Sequence, residues 1–243
     1  MLKKIKHLSL AIPLLASAVS VQAKPLSLER IFDDPSLSGK SPVQLKFSPD
    51  GNRVTYLQGK SDDYNRYDLW EYNLKDNTNR MLVDSAKLFS GPENLSDEEK
   101  ARRERQRIFG QGILEYKWSK DGKALLFPLN GDLYYYELAA NKSKKLANTE
   151  AFETDARFSP KGNFVSFIRE QNLYALALDS GKEIQLSSDG GGIIKNGMAE
   201  FVAQEEMSRM TGYWWADDES KIAFTRVDES PVKEALRNEI YAD

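Results

Sequence analysis

One short pattern recurs along this chain and narrows its fold more than any other feature. Phe47-Ser48-Pro49-Asp50-Gly51 is followed by Val54-Thr55-Tyr56 and then by Asp68-Leu69-Trp70-Glu71-Tyr72. Trp118-Ser119-Lys120-Asp121-Gly122 is followed by Leu125-Leu126-Phe127 and Asp132-Leu133-Tyr134. Phe158-Ser159-Pro160-Lys161-Gly162 is followed by Val165-Ser166-Phe167 and Asn172-Leu173-Tyr174. A fourth copy, Trp215-Ala216-Asp217-Asp218-Glu219 before Ile222-Ala223-Phe224, lacks the glycine. The tetrad after each aromatic is a tight turn, with proline presetting φ and glycine taking a positive φ. The alternating β-branched and aromatic residues on either side are strands. Second turns at 76–79, 141–143 and 179–181 precede a last short strand. Four short antiparallel strands in about 40 residues is the unit of a β-propeller blade. An all-β fold of about four blades follows.

The spacing of the copies is uneven. Gly122 and Gly162 lie 40 residues apart, one bare blade, whereas Gly51 to Gly122 is 71 and Gly162 to Glu219 is 57. Two inserts are therefore expected, over roughly 84–115 and 188–212. Both fall in the link from the last strand of one blade to the first strand of the next. Links of the same phase leave a propeller on the same face, so the inserts can reach toward a common point. Loops on a rigid β scaffold are where function usually sits.

The first insert holds Ser96-Asp97-Glu98-Glu99-Lys100-Ala101-Arg102-Arg103-Glu104-Arg105-Gln106-Arg107. Ser96 with Glu99 forms a capping box, and acids leading bases complement the helix dipole. It reads either as a solvated, ion-paired surface helix or as a helix whose last arginine addresses a ligand. The second insert holds Ala199-Glu200-Phe201-Val202-Ala203-Gln204-Glu205-Glu206-Met207. Its adjacent acids are either a polar helix face or a cation site. Two poorly solvated carboxylates suit a peptide's α-ammonium, whose pKa is roughly 7.7–8.0.

Composition removes several alternatives. The formal charge is −3, and removing Lys3, Lys4 and Lys6 leaves 31 basic against 37 acidic residues, which argues against nucleic acid or an anionic membrane as main partner. There is no cysteine, and the one histidine is His7. A Ser-His-Asp triad cannot be completed without histidine, and no G-x-S-x-G motif is present. No cofactor or metal is expected. Residues 1–23 read as a signal peptide: Lys3, Lys4 and Lys6, an apolar run from Leu8 to Val19, and a Val21-Gln22-Ala23 cleavage site. The mature chain, 24–243, is expected to be exported, to a Gram-negative periplasm or the medium.

The run Glu200 to Met207 followed by Gly212-Tyr213-Trp214-Trp215 resembles the double-glutamate motif of the dipeptidyl peptidase IV family of serine peptidases. The helix ending Arg103-Glu104-Arg105-Gln106-Arg107 before Ile108-Phe109-Gly110 is similar to its arginine helix, and Asp228-Glu229-Ser230 also fits the family. The resemblance covers essentially the whole mature chain. It implies an eight-bladed propeller, of which this would be the N-terminal part, with a C-terminal α/β-hydrolase domain and its catalytic residues outside this chain. It implies release of Xaa-Pro or Xaa-Ala dipeptides from peptides with a free N-terminus and Pro or Ala second. Glu205 and Glu206 would bind the α-ammonium and Arg107 the first peptide carbonyl, with Arg105 as the alternative. It further implies the chain's own hydrolase domain as partner, a homodimer when full length, and no activity in residues 24–243 alone. A non-catalytic periplasmic binding scaffold and a prolyl tripeptidyl peptidase are the competing readings.

Overall fold

The computed structural model describes residues 25–33, 36–93, 95–147 and 149–233. The signal-peptide expectation falls on residues outside these. Two units are distinguished, Met1–Leu37 and Ser38–Asp243. Among the described residues of the first lies a short helix, α1 (Leu28–Phe32), whose N-terminus is capped by Ser27.

The second unit is built from the repeat. The first blade consists of β1 (Val43–Phe47), β2 (Arg53–Gly59), β3 (Arg66–Asn73) and β4 (Thr78–Val83), each antiparallel to the next. Helix α2 (Ser85–Leu88), helix α3 (Asp97–Arg105) and β5 (Gln111–Gly112) follow, and β5 runs parallel to the start of β3. The second blade is β6 (Lys117–Trp118), β7 (Ala124–Leu129), β8 (Asp132–Glu137) and β9 (Lys142–Lys145). The third is β10 (Glu153–Phe158), β11 (Phe164–Arg169), β12 (Asn172–Ala177) and β13 (Glu183–Gln185). Then come β14 (Ile194–Asn196), helix α4 (Phe201–Glu205), β15 (Tyr213–Trp215), β16 (Ile222–Phe224) and β17 (Arg226–Asp228). Here two short ladders, β15 with β16 and β14 with β17, make up the fourth blade. The all-β architecture, the propeller blades and the two helical inserts are as the sequence implies.

The turn chemistry explains the repeated serine. In three turns its hydroxyl accepts the N–H five residues on: Arg53 to Ser48 at 3.0 Å, Ala124 to Ser119 at 2.9 Å and Phe164 to Ser159 at 2.9 Å. The turn glycines take φ of 69°, 70° and 83°. Glu219 stands in the fourth copy at φ 65°, a conformation that strains a residue with a Cβ. Its carboxylate offsets the strain by accepting from the Lys161 N–H (2.6 Å) and the Asn163 amide (2.7 Å) of the neighbouring turn.

Successive blades pack face to face, so central strands are apolar on both sides. In β7, Leu125, Phe127 and Leu129 enter the core shared with the first blade, while Leu126 enters the core shared with the third. A smaller core of Ile168, Leu173 and Tyr213 joins the third and fourth blades. The aromatic that opens each turn closes the blade interface, and its partner varies with it. Trp118 donates its indole N–H to Thr55 and Trp215 to Ser166, both at 2.9 Å. Phe158, which has no N–H, packs into the core that contains Leu126, at the position matching Thr55 and Ser166.

This pairing is testable. Thr55 is fully buried, so Trp118→Phe leaves its hydroxyl short of a partner and should cost about 1–3 kcal/mol. Adding Thr55→Val should recover part of that loss, reproducing the Phe158–Leu126 arrangement. Denaturant unfolding of the two single variants and the double variant checks this. Strict additivity would show that the hydrogen bond does not couple the two positions.

Candidate functional site

Helix α3 carries almost no apolar surface, yet one face of it is buried. Ser96 caps it by accepting from the Glu99 N–H at 3.2 Å. The reciprocal half of the expected capping box is replaced. The Glu99 carboxylate, only 6% exposed as a residue, instead takes Arg103 (2.9 Å), Arg102 (3.2 Å) and the Thr154 hydroxyl (3.0 Å). Residues 99, 102 and 103 share one helix face by their spacing. That face is pinned to two blades. Arg102 pairs with Glu115, just before β6, at 2.5 Å and donates to Thr154 of β10 at 3.2 Å. Arg103 pairs with Glu93 at 2.6 Å. The solvated-helix expectation therefore holds for only part of α3.

Burial alone would raise the Glu115 carboxyl. The Arg102 guanidinium, with Lys117 and Lys46 nearby, outweighs that and holds it below the ordinary carboxylate range. A carboxyl depressed on folding stabilises the fold above its unfolded pKa, and the contribution fades as pH falls through and below that range.

With this face fixed, Arg105 at the end of α3 points to the second insert. Its Nε lies 3.5 Å from Glu205 Oε1, and its Nη1 donates to Gln204 Oε1 at 3.2 Å. The guanidinium also sits over the Phe201 ring, 5.3 Å from the centroid. The two inserts meet, as links of one phase should. Arg107 is not brought to the pair. Gln106 closes the helix, Arg107 takes φ 52°, and its exposed side chain makes no polar contact among the described residues. The helix thus ends at Arg105, two residues before the expected contact.

Helix α4 is capped by its own Glu200, whose carboxylate accepts from the Val202 and Ala203 N–H groups, both at 2.7 Å. Glu205 ends the helix with its side chain 38% exposed, and Glu206 is the C-cap. Glu206 is exposed and its carboxylate has no partner among the described residues. Beyond α4, Gly212-Tyr213-Trp214-Trp215 is scaffold. A Cβ on Gly212 would come within 2.4 Å of the Met198 carbonyl oxygen. Tyr213 donates to the Asp155 carbonyl at 2.5 Å, and Trp215 reaches Ser166, so the segment after the glutamates is riveted to the third blade. A cavity of about 270 Å³ lies between the inserts and β10, with Arg102, Arg105, Asp155, Phe201 and Gln204 in its wall.

The fold is thus a set of propeller blades with two helical inserts that bring Arg105 of one beside Glu205 of the other. The model for the dipeptidyl peptidase IV N-terminal region matches residues 114–243, more than half of the chain, and the chain belongs to that family. A "Probable dipeptidyl-aminopeptidase B" of Pyrenophora teres f. teres is 30% identical over 130 residues, covering 52% of this chain and 14% of the relative. Its counterpart in Talaromyces marneffei is 41% identical over 80 residues, covering 32% and 9%. The chain thus matches only about a tenth of the length of these curated relatives. The crystal structure of Porphyromonas gingivalis dipeptidyl peptidase 4 is similar in fold, with TM-score 0.57 and 23% identity over 87% of this chain and 29% of that one.

Glu115 supplies the prediction for the anchor. Glu115→Gln should destabilise the protein by about 2 kcal/mol at neutral pH. This is less than the ~3–5 kcal/mol of a stranded buried charge, because Arg102 keeps Glu99. The difference from wild type should shrink as pH falls below about 4.3. Denaturant unfolding at a series of pH values measures both; a pH-independent difference would contradict the ion-pair account.

Proposed function

We propose that this chain is the part of a serine-type dipeptidyl peptidase that recognises the substrate's N-terminus. Glu205 and Glu206 receive the α-ammonium, and Arg105 donates to the carbonyl of the first peptide unit. A hydrolase domain of the same protein then releases an Xaa-Pro or Xaa-Ala dipeptide. The observation that carries this reading is the 3.5 Å approach of Arg105 to Glu205, from inserts a hundred residues apart in sequence. Family membership supports the peptidase class.

The chemistry fits an exopeptidase. Among the described residues Glu206 has no partner for its carboxylate and Glu205 shares a single guanidinium, so the pair carries more negative charge than Arg105 compensates. An ammonium with three donors supplies the missing charge through strong hydrogen bonds. An internal peptide segment brings no cation, so only a chain end binds well. With the ammonium pinned and the next carbonyl held by the arginine, the distance to the scissile bond is fixed from the N-terminus, which positions the reacting carbon. Export through the leader places such an enzyme in a periplasm or outside the cell, and a homodimer is the assembly proposed for the full-length protein.

Calorimetric titration of an Ala-Pro-Ala peptide, free or N-acetylated, tests the reading. The free peptide should bind and the acetylated one should lose roughly thirtyfold, as should Glu205→Gln and Glu206→Gln with the free peptide. This corresponds to the lower end of the cost of breaking a charge pair, about 2 kcal/mol, because both glutamates keep access to solvent. The losses from acetylation and from substitution should not add. Binding should also weaken as pH rises past roughly 8, where the α-amino group gives up its proton. If Glu206→Gln weakens both peptides by the same factor, the ammonium is not its partner and the pair is only a polar helix surface.

A further inference from the structure

Gln204 sits immediately before the glutamate pair and uses both ends of its amide. Nε2 donates to the Ala199 carbonyl at 2.6 Å, inside the same insert. Oε1 accepts from Arg105 Nη1 at 3.2 Å, across to the other insert. The first contact settles the second: a carbonyl can only accept, so the amide nitrogen must face Ala199 and the oxygen is left for the arginine. Gln204 is half-buried, between the exposed Glu205 and the fully buried Ala203.

The consequence lies in what this contact withholds. An arginine that must present N–H groups to a neutral carbonyl needs its guanidinium held in one orientation, since ordering a free side chain costs entropy at the moment of binding. Glu205 approaches Arg105 Nε at 3.5 Å, and a second carboxylate on the guanidinium would spend more of its charge. The amide oxygen of Gln204 orients the guanidinium at Nη1 without adding negative charge, while Phe201 supports its flat face. Glutamate at 204 would lose the donor to Ala199, set carboxylate against carbonyl oxygen, and put a second carboxylate on Arg105 beside Glu205.

We infer that Gln204 is a positioning residue for Arg105, which tunes recognition of the first peptide carbonyl separately from recognition of the ammonium. This rests on the clamp reading given above, since Gln204 acts through the arginine.

Two measurements on the full chain test it. The first needs no ligand: the Nε–Hε resonance of Arg105, assigned with Arg105→Lys, reports how tightly the guanidinium is held. It should be resolved and slow to exchange in the wild type. In Gln204→Met, which keeps the length and removes both hydrogen bonds, it should collapse toward that of a free arginine. In Gln204→Glu it should stay restrained. The second compares two probes by NMR titration. Alanyl-prolinamide offers ammonium and carbonyl, and n-propylamine offers the ammonium alone. Gln204→Met should weaken alanyl-prolinamide about three- to tenfold, as expected for one hydrogen bond, and leave n-propylamine within twofold. Gln204→Glu should also weaken alanyl-prolinamide relative to n-propylamine.

Equal losses for both probes would overturn the inference, because they would indicate distortion of α4 as a whole. An unchanged Arg105 resonance in Gln204→Met would overturn it as well. If the wild type binds neither probe, the clamp reading fails, and the resonance alone decides the role of Gln204. A signal that Gln204→Met frees supports it; one that stays unchanged refutes it.

Discussion

The geometry of the site depends on a buried knot of charge. Glu99, Arg102, Glu115 and Thr154 bind one another across a helix and two blades, at distances between 2.5 and 3.2 Å. A nine-residue helix of Asp, Glu, Lys and Arg with one alanine cannot hold itself together in water, since the nucleus costs more than so few turns return. It has no apolar stripe to dock with. What it has is one face of charge at helical spacing: Glu99 and Arg102 meet Thr154 and Glu115 on the propeller side, and Arg103 pairs with Glu93. Removing these charges from water is costly, and is tolerated because nearly every donor and acceptor is met. The result is a helix whose last residue, Arg105, is aimed at α4.

The propeller contributes rigidity and phase. Inner strands are stitched across the blade interfaces by side chains at equivalent positions. Lys46 donates to the Tyr116 carbonyl, and Lys117 to the matching Ala156 carbonyl. The indoles of Trp118 and Trp215 reach back to hydroxyls on the preceding blade. With the blades in register, links of one phase emerge on one side, and two inserts far apart in sequence share a rim. Tyr213 and Gly212 then fix the exit of α4 as firmly as Thr154 and Glu115 fix α3.

Much of this was legible in the sequence because it follows from local chemistry. The S-x-x-G turns, the period-two strands and the gaps of 71 and 57 residues against 40 point to the blades and to the places of both inserts. The details of the site were less accessible. The resemblance points to Arg107 with Arg105 as the alternative; it is Arg105 that lies beside Glu205, because α3 ends at a C-cap at Gln106 with a left-handed residue after it, which the composition Arg-Glu-Arg-Gln-Arg does not reveal. Ser-x-x-Glu is a local signal for a capping box at Glu99, whereas its carboxylate takes Arg102 and Arg103 of its own helix and Thr154 of the third blade. The contact of Gln204 with Arg105 exists only because a second insert arrives beside it. Glu115 closes the first insert and Thr154 lies inside β10, so neither carries a motif, although a charged residue just before an inner strand is a hint that something must pair with it.

Amide hydrogen exchange across residues 97–105 tests the central claim most directly, that a polar helix is folded and aimed by charges on the blades. In the wild type these amides should be protected well beyond the rates of an unfolded segment. In Glu115→Gln they should lose most of that protection while the central strands β7 and β11 keep theirs. Wild-type amides that exchange freely would contradict the account, and so would protection in α3 that survives the substitution unchanged.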